Sequence, residues 1–117
     1  MHLIAAEALM NLDRADEGVY YINLVRQRAA WPGKEEQMEI SADQLTLDFI
    51  LDERALELAG ELFRWPDLKR TGKLIDLVRL HNPDTRNNIK EMHLVYPIPQ
   101  NEIDRVTNED FTQNLGY

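Results

Sequence analysis

The stretch from Ser41 to Phe63 constrains the fold of this chain more than any other. Set on a helix at about 100° per residue, Leu47, Ile50, Leu51, Ala55, Leu58 and Leu62 form one apolar stripe. Leu45, Phe49, Leu56 and Phe63 form a second stripe on the far side, and only a narrow strip through Thr46, Glu53 and Glu57 stays polar. A helix that is apolar on two sides has neighbours on both, so the spacing predicts a central helix over residues 42–63. Ser41-Ala42-Asp43-Gln44 has the spacing of a capping box at its start. Arg54 and Glu61 fall inside the first stripe. A guanidinium buried there must be paired, because leaving it alone costs several kcal/mol.

Two further helices precede this one. Ile4, Ala5, Ala8, Leu9 and Leu12 recur with a helical period over residues 2–13, and Asp13-Arg14-Ala15-Asp16 makes a polar turn. Val19, Ile22, Val25 and Ala29 resume the period until Trp31-Pro32-Gly33 ends it. Two helices, a tight turn and small alanines at the crossing describe an antiparallel hairpin of tetratricopeptide type. One such hairpin buries its apolar face only against neighbours.

The segment Gly60-Glu61-Leu62-Phe63-Arg64-Trp65-Pro66-Asp67-Leu68-Lys69-Arg70-Thr71-Gly72 packs aromatics, charges, a proline and two bracketing glycines into one corner. Gly60 admits another backbone, Trp65-Pro66 ends the central helix, and Asp67 is placed to cap the next one near Leu68. Gly72 permits a left-handed backbone. Arg64, Asp67 and Arg70 are expected to join Arg54 and Glu61 in one network around Trp65.

Leu74, Ile75, Leu77, Val78 and Leu80 then indicate a further helix. Residues 81–92 are turn-rich, and 93–99 must run extended because Pro97 and Pro99 restrict their predecessors. A short helix is expected within 100–106, and an irregular end follows. The expected class is mostly α with no sheet. It comprises a tetratricopeptide-like hairpin (1–30), a loop (31–41), packed helices (42–80) around the corner 60–72, and an extended, Pro-bearing and irregular tail (81–117).

Several chemistries lose support on composition. A net charge of −8 over 117 residues lacks the positive footprint that a nucleic acid partner requires. With no cysteine there is no disulfide framework, thiolate nucleophile or cysteine zinc site, and no apolar run approaches a membrane span. Glu53, Glu57 and Glu61 lie four apart on one helix, whereas glycoside hydrolysis needs carboxylates facing across a cleft. His2, His81 and His93 are scattered without companion ligands, so no metal and no cofactor is expected. Lys69, Arg70 and Lys73 are too few for a basic patch beside Asp67. Trp31, on a Pro-Gly loop, is the one candidate sugar-stacking platform, although large aromatics are mostly buried and a Trp31 folded back on the hairpin is the preferred reading.

The order of these pieces adds a family likeness. Glu53-Arg54, Glu57-Leu58, Gly60-Glu61 and Arg64-Trp65-x-Asp67-Leu68-Lys69-Arg70-Thr71-Gly72 come first. Tyr96-Pro97-Ile98-Pro99, Glu102 and a closing Gln113-Asn114-Leu115-Gly116-Tyr117 follow. Together they resemble the C-terminal signature of the SusD/RagB family. Ala5-Ala6-Glu7-Ala8-Leu9 and Asn23-Leu24-Val25-Arg26-Gln27-Arg28-Ala29 resemble that family's last tetratricopeptide-like hairpin. Pro66 departs from a more usual aromatic, and Leu115 from a usual proline.

The resemblance implies the C-terminal domain of a cell-surface, outer-membrane lipoprotein whose signal peptide, lipidated cysteine and several hundred residues would lie upstream. Such proteins bind oligosaccharides or polysaccharides as lids on TonB-dependent transporters and are not enzymes. It implies scaffold roles for Glu53, Arg54, Glu57, Glu61, Arg64, Trp65, Asp67 and Arg70, with most sugar-contacting aromatics upstream. A free-standing tetratricopeptide-like interaction module is the alternative. Exposed apolar surface on this piece predicts self-association.

Overall fold

In the computed structural model, which describes residues 1–108 and 110–117, the chain folds into helices and turns, with no strand among the described residues. The helices are α1 (His2–Asn11), α2 (Ala15–Ala29), α3 (Leu47–Glu57), α4 (Arg64–Arg70), α5 (Leu74–His81) and α6 (Gln100–Ile103). They fall into two compact units, residues 1–64 and 65–117.

The first unit is the expected hairpin with α3 and the intervening loop on it. Asp13 takes a left-handed φ of 57° between α1 and α2, a conformation that short polar side chains tolerate. Leu3, Ala6, Ile22, Val25, Leu45 and Ile50 form the core, with Met10, Val19 and Phe49 packed against it. The helices cross where Ala6 faces the buried Gly18. A Cβ added at Gly18 would lie 2.8 Å from Leu45 Cδ2 and 3.1 Å from the Ala6 carbonyl oxygen. The close crossing therefore depends on a glycine more than on the alanines that the sequence pointed to.

α3 is shorter at both ends than its apolar pattern predicts. Ser41 and Gln44 do pair, the Gln44 Oε1 accepting the Ser41 backbone N–H at 3.0 Å, but they cap a 3-10 turn over Ala42–Gln44. Thr46 is the true cap of α3, its hydroxyl accepting the Phe49 N–H at 3.2 Å. The helix stops at Glu57 because the chain turns left-handed at Gly60 (φ 84°) and again at Leu62 (φ 62°). Gly60 is needed for that angle and not for a close backbone approach, since no atom lies near its would-be Cβ. Leu62 and Phe63, assigned to the stripes, lie beyond the helix end and are exposed, and Leu56 is exposed on α3 itself.

In the second unit, Pro66 lies inside α4 and does not break a helix. It occupies the first turn, where a backbone N–H has no intrahelical acceptor, so its missing donor costs little. Asp67 likewise sits within the helix and not at its cap. α4 ends in a Schellman turn: Lys73 N–H donates to Leu68 O at 2.8 Å and Gly72 N–H to Lys69 O at 3.2 Å. Gly72 takes the left-handed φ of 71° that this closure requires. α5 buries Leu74 and Ile75, turns follow over residues 83–88, and Ile89 is buried after them. Glu91–Leu94 forms a 3-10 turn, so the extended run begins at Val95 and not at His93.

The extended segment is held by the chain end. Gln113 acts as a substitute strand for Ile98, accepting its N–H and donating to its carbonyl, each at 2.8 Å. Asn114 Nδ2 donates to Tyr96 O at 2.7 Å, and the Tyr117 hydroxyl to Val95 O at 3.0 Å. Gly116 (φ 101°) lets the tail pass Met92, whose Cβ would be 2.8 Å from an added Cβ. Pro97 and Pro99 cannot donate, so side-chain amides serve this segment better than a ladder.

Two expectations follow. Gly18→Val overfills the hairpin crossing and lowers stability by about 2 kcal/mol, read as a lower midpoint in urea unfolding. Gln113→Ala removes two hydrogen bonds from the tail clamp. It should speed amide exchange at Ile98 and proteolysis after residue 95 while leaving α2 protection unchanged.

Candidate functional site

The polar residues that point to function lie in two places, one in each unit. In the first, α2 presents Asn23, Arg26, Gln27 and Arg28 to the loop and to α3. Asn23 brackets Ile40 with two hydrogen bonds of 3.0 Å, donating to its carbonyl and accepting its N–H. Arg26 donates to Met38 O at 2.6 Å and to Glu53 Oε2 at 2.5 Å, with its guanidinium 5.1 Å from the Phe49 ring centre. Gln27 donates to Glu39 and Arg28 to Glu57.

The buried charge of α3 is therefore Glu53, not Arg54. Glu53 is 8% exposed, whereas Arg54 is half-buried. Phe49 and Glu53 of α3 both meet Arg26 of α2, so Glu53 of the supposed polar strip lies against that guanidinium. Arg28, Arg54 and Glu57 border a cleft of about 230 Å³ with Leu24, Val25 and Leu58. Arg64 donates to Leu51 O at 2.6 Å and approaches Asp52 at 3.5 Å, while Glu61 is exposed. Glu53 and Glu57 are thus held as ion-pair partners of α2 arginines. They are not two carboxylates facing across a cleft, the arrangement that hydrolysis needs.

Trp31 is 83% exposed and does not fold back on the hairpin. Ala30 goes extended after α2 and carries the chain outward, and Lys34 N–H closes a turn on Trp31 O at 2.9 Å. Gly33 takes a φ of 76° in that turn. Glu35 lies beside it, and hydrogen bonds from its own N–H and that of Gly33 hold its carboxyl below the usual range. An indole with an open face is what stacking on a sugar ring requires.

In the second unit the buried Asp67 accepts from Arg70 at 3.0 Å, through Nε and again through the terminal nitrogen. Trp65 is 38% exposed and borders two cavities. One, of about 520 Å³, is completed by Pro66, Lys69, Arg70, Leu94 and Tyr96, with Lys69 Nζ 4.3 Å above the Tyr96 ring. The other, of about 360 Å³, is completed by Val78, Ile89 and the polar Asn82, Thr85, Asn88 and His93. Sequence reasoning treated Asn82, Thr85 and Asn88 only as loop, and His93 as the start of the extended run and a scattered histidine. The signal available was several amides and a hydroxyl in one turn region, just past the helix that follows the tryptophan-bearing one.

The profile of the SusD family matches residues 1–117, the whole chain. The chain belongs to the SusD family. It is 37% identical to SusD-like protein P25 of Formosa agariphila, over all of this chain and 23% of that protein. SusD-like protein P38 of the same organism is 30% identical, again over all of this chain and 23% of the relative. SusD-like protein P2 is 42% identical over 58% of this chain and 14% of its own length. The chain thus spans 23% of the length of the first two relatives, as a C-terminal portion of them. No solved structure matches it. Proteins of the SusD family bind and are not enzymes. No helix among the described residues is long and apolar enough to cross a membrane.

Proposed function

We propose that this chain is the C-terminal scaffold of a cell-surface oligosaccharide-binding protein that works with a TonB-dependent transporter in glycan uptake. On this reading residues 1–117 form one SusD-like C-terminal domain at the outer membrane, within a longer lipoprotein. Family membership over the whole chain supports the class of function. The observation that carries the scaffold role is the internal pairing of signature charges: Glu53 to Arg26, Glu57 to Arg28, Asp67 to Arg70. Groups so paired would lose those bonds if they turned to a ligand, at a cost that a weak glycan contact does not offset. Trp31 is an open aromatic that an extended glycan would reach, and exposed Leu56 and Leu62 suit coverage by protein.

The test is affinity electrophoresis of the longer protein carrying this region, against soluble plant and host polysaccharides, with purification from membranes in parallel. Retardation by at least one glycan is expected, together with a co-purifying TonB-dependent transporter. Trp31→Ala should weaken retention without abolishing it, because one stacking contact is worth about 1 kcal/mol. Migration unaffected by every glycan and no transporter in the eluate would refute the proposal.

A further inference from the structure

Of the three cavities described, one has a lining that specifies a ligand. We propose that the cavity of about 360 Å³ beside Trp65 is a subsite for one ring of a neutral sugar, with Trp65 as stacking surface and Asn82, Thr85, Asn88 and His93 as hydroxyl partners. This deepens the glycan-binding reading and rests on it for the ligand's biological source. The chemistry of the ligand is argued from the lining alone.

A pyranose has an apolar CH face and a rim of hydroxyls, each both donor and acceptor. Its site needs an aromatic or aliphatic floor and neutral groups that donate and accept. Trp65, Val78 and the buried Ile89 are apolar, and no charged side chain borders the cavity. The size falls within the range of about 300–1,000 Å³ usual for small-ligand sites, and the lining has their character of a mostly apolar surface with a few placed polar groups.

The polar groups also retain bonding capacity. Asn82 spends its carbonyl on the Thr85 N–H at 3.3 Å, which leaves its NH₂ to donate. Asn88 has an exposed amide that can both donate and accept. His93 Nδ1 lies 2.9 Å from Lys90 N and 3.1 Å from Lys90 O, which occupies that nitrogen with the backbone and leaves Nε2 to bond a hydroxyl, itself able to donate or accept. An anion would find no cation among these groups, and a cation no carboxylate.

The other cavities lack this combination. In the larger one beside Trp65, the Lys69 ammonium already covers the Tyr96 ring, and the polar side chains are the cations Lys69 and Arg70. In the cleft of the first unit, Arg28 and Glu57 are spent on each other.

The experiment uses the 117-residue chain with Trp31→Phe, which leaves Trp65 as the sole indole. The chain is titrated with the methyl glycosides of glucose, galactose, mannose and xylose, and with glycerol as a polyol control. We expect a saturable change in Trp65 emission with at least one glycoside at millimolar concentration, and none with glycerol. Asn88→Ala changes an exposed side chain and should weaken that glycoside about fivefold, the effect of one lost hydrogen bond, with unchanged far-UV circular dichroism. Trp65→Phe, read by ligand-observed NMR, should weaken it as well.

A folded chain with no saturable response to any glycoside overturns the subsite. So does a response indifferent to Asn88→Ala and Trp65→Phe. If the longer protein meanwhile still binds polysaccharide, the glycan-binding reading stands and only this placement fails.

Discussion

The first unit depends on one guanidinium. Arg26 projects from α2 into a place where Met38 O, the Glu53 carboxylate and the Phe49 ring converge, so a single side chain ties the hairpin, the loop and α3 together. The Arg26 side chain is 18% exposed and that of Glu53 9%, so both charges have lost most of their water. Desolvation of this kind makes the pair a modest net contributor compared with apolar side chains of the same shape. Removing one member is a different matter, because the other is then left buried and unmatched. The pair specifies which face of α3 meets α2, and the apolar core of Leu3, Ile22, Val25 and Ile50 supplies the free energy around it.

A second device recurs in both units: a side-chain amide stands in for a strand. Asn23 brackets Ile40, and Gln113 brackets Ile98, each satisfying one N–H and one carbonyl. Irregular backbone close to a core must find such partners, and here, with no sheet among the described residues, side chains supply them. This accounts for the polar residues Asn23, Gln113 and Asn114 within the stretches that resemble the SusD family: their side chains are bonded to the chain's own backbone.

Helix identity was legible in the sequence, and the reasons for the exceptions are physical. α2 and α5 follow their apolar periods because each has one clear buried face, whereas α1 buries Leu3 and Ala6 and leaves Ile4, Ala8 and Leu12 of its expected stripe exposed. α3 was overextended because apolar spacing continues through Leu62, while the backbone is decided by Gly60 and by the cap at Thr46. Period alone also chose the wrong charge to bury. Arg54 and Glu53 are adjacent, and the contact with Arg26 of another helix, invisible to a single-helix pattern, selects Glu53. Pro66 misled in the same way, since a proline tolerated in a first turn and one that ends a helix look alike in sequence. The open position of Trp31 and the cavity beside Trp65 required coordinates, because exposure and concavity depend on contacts far apart in the chain.

A double-mutant cycle on Arg26 and Glu53 tests the central claim, that the signature charges of this SusD-family chain are ties within its own fold. Arg26→Met, Glu53→Leu and the double variant would be compared with the parent by urea unfolding. The account predicts a coupling of about 2 kcal/mol or more, with the double variant closer to the parent than either single one. Additive losses, with coupling within about 0.5 kcal/mol of zero, would contradict it.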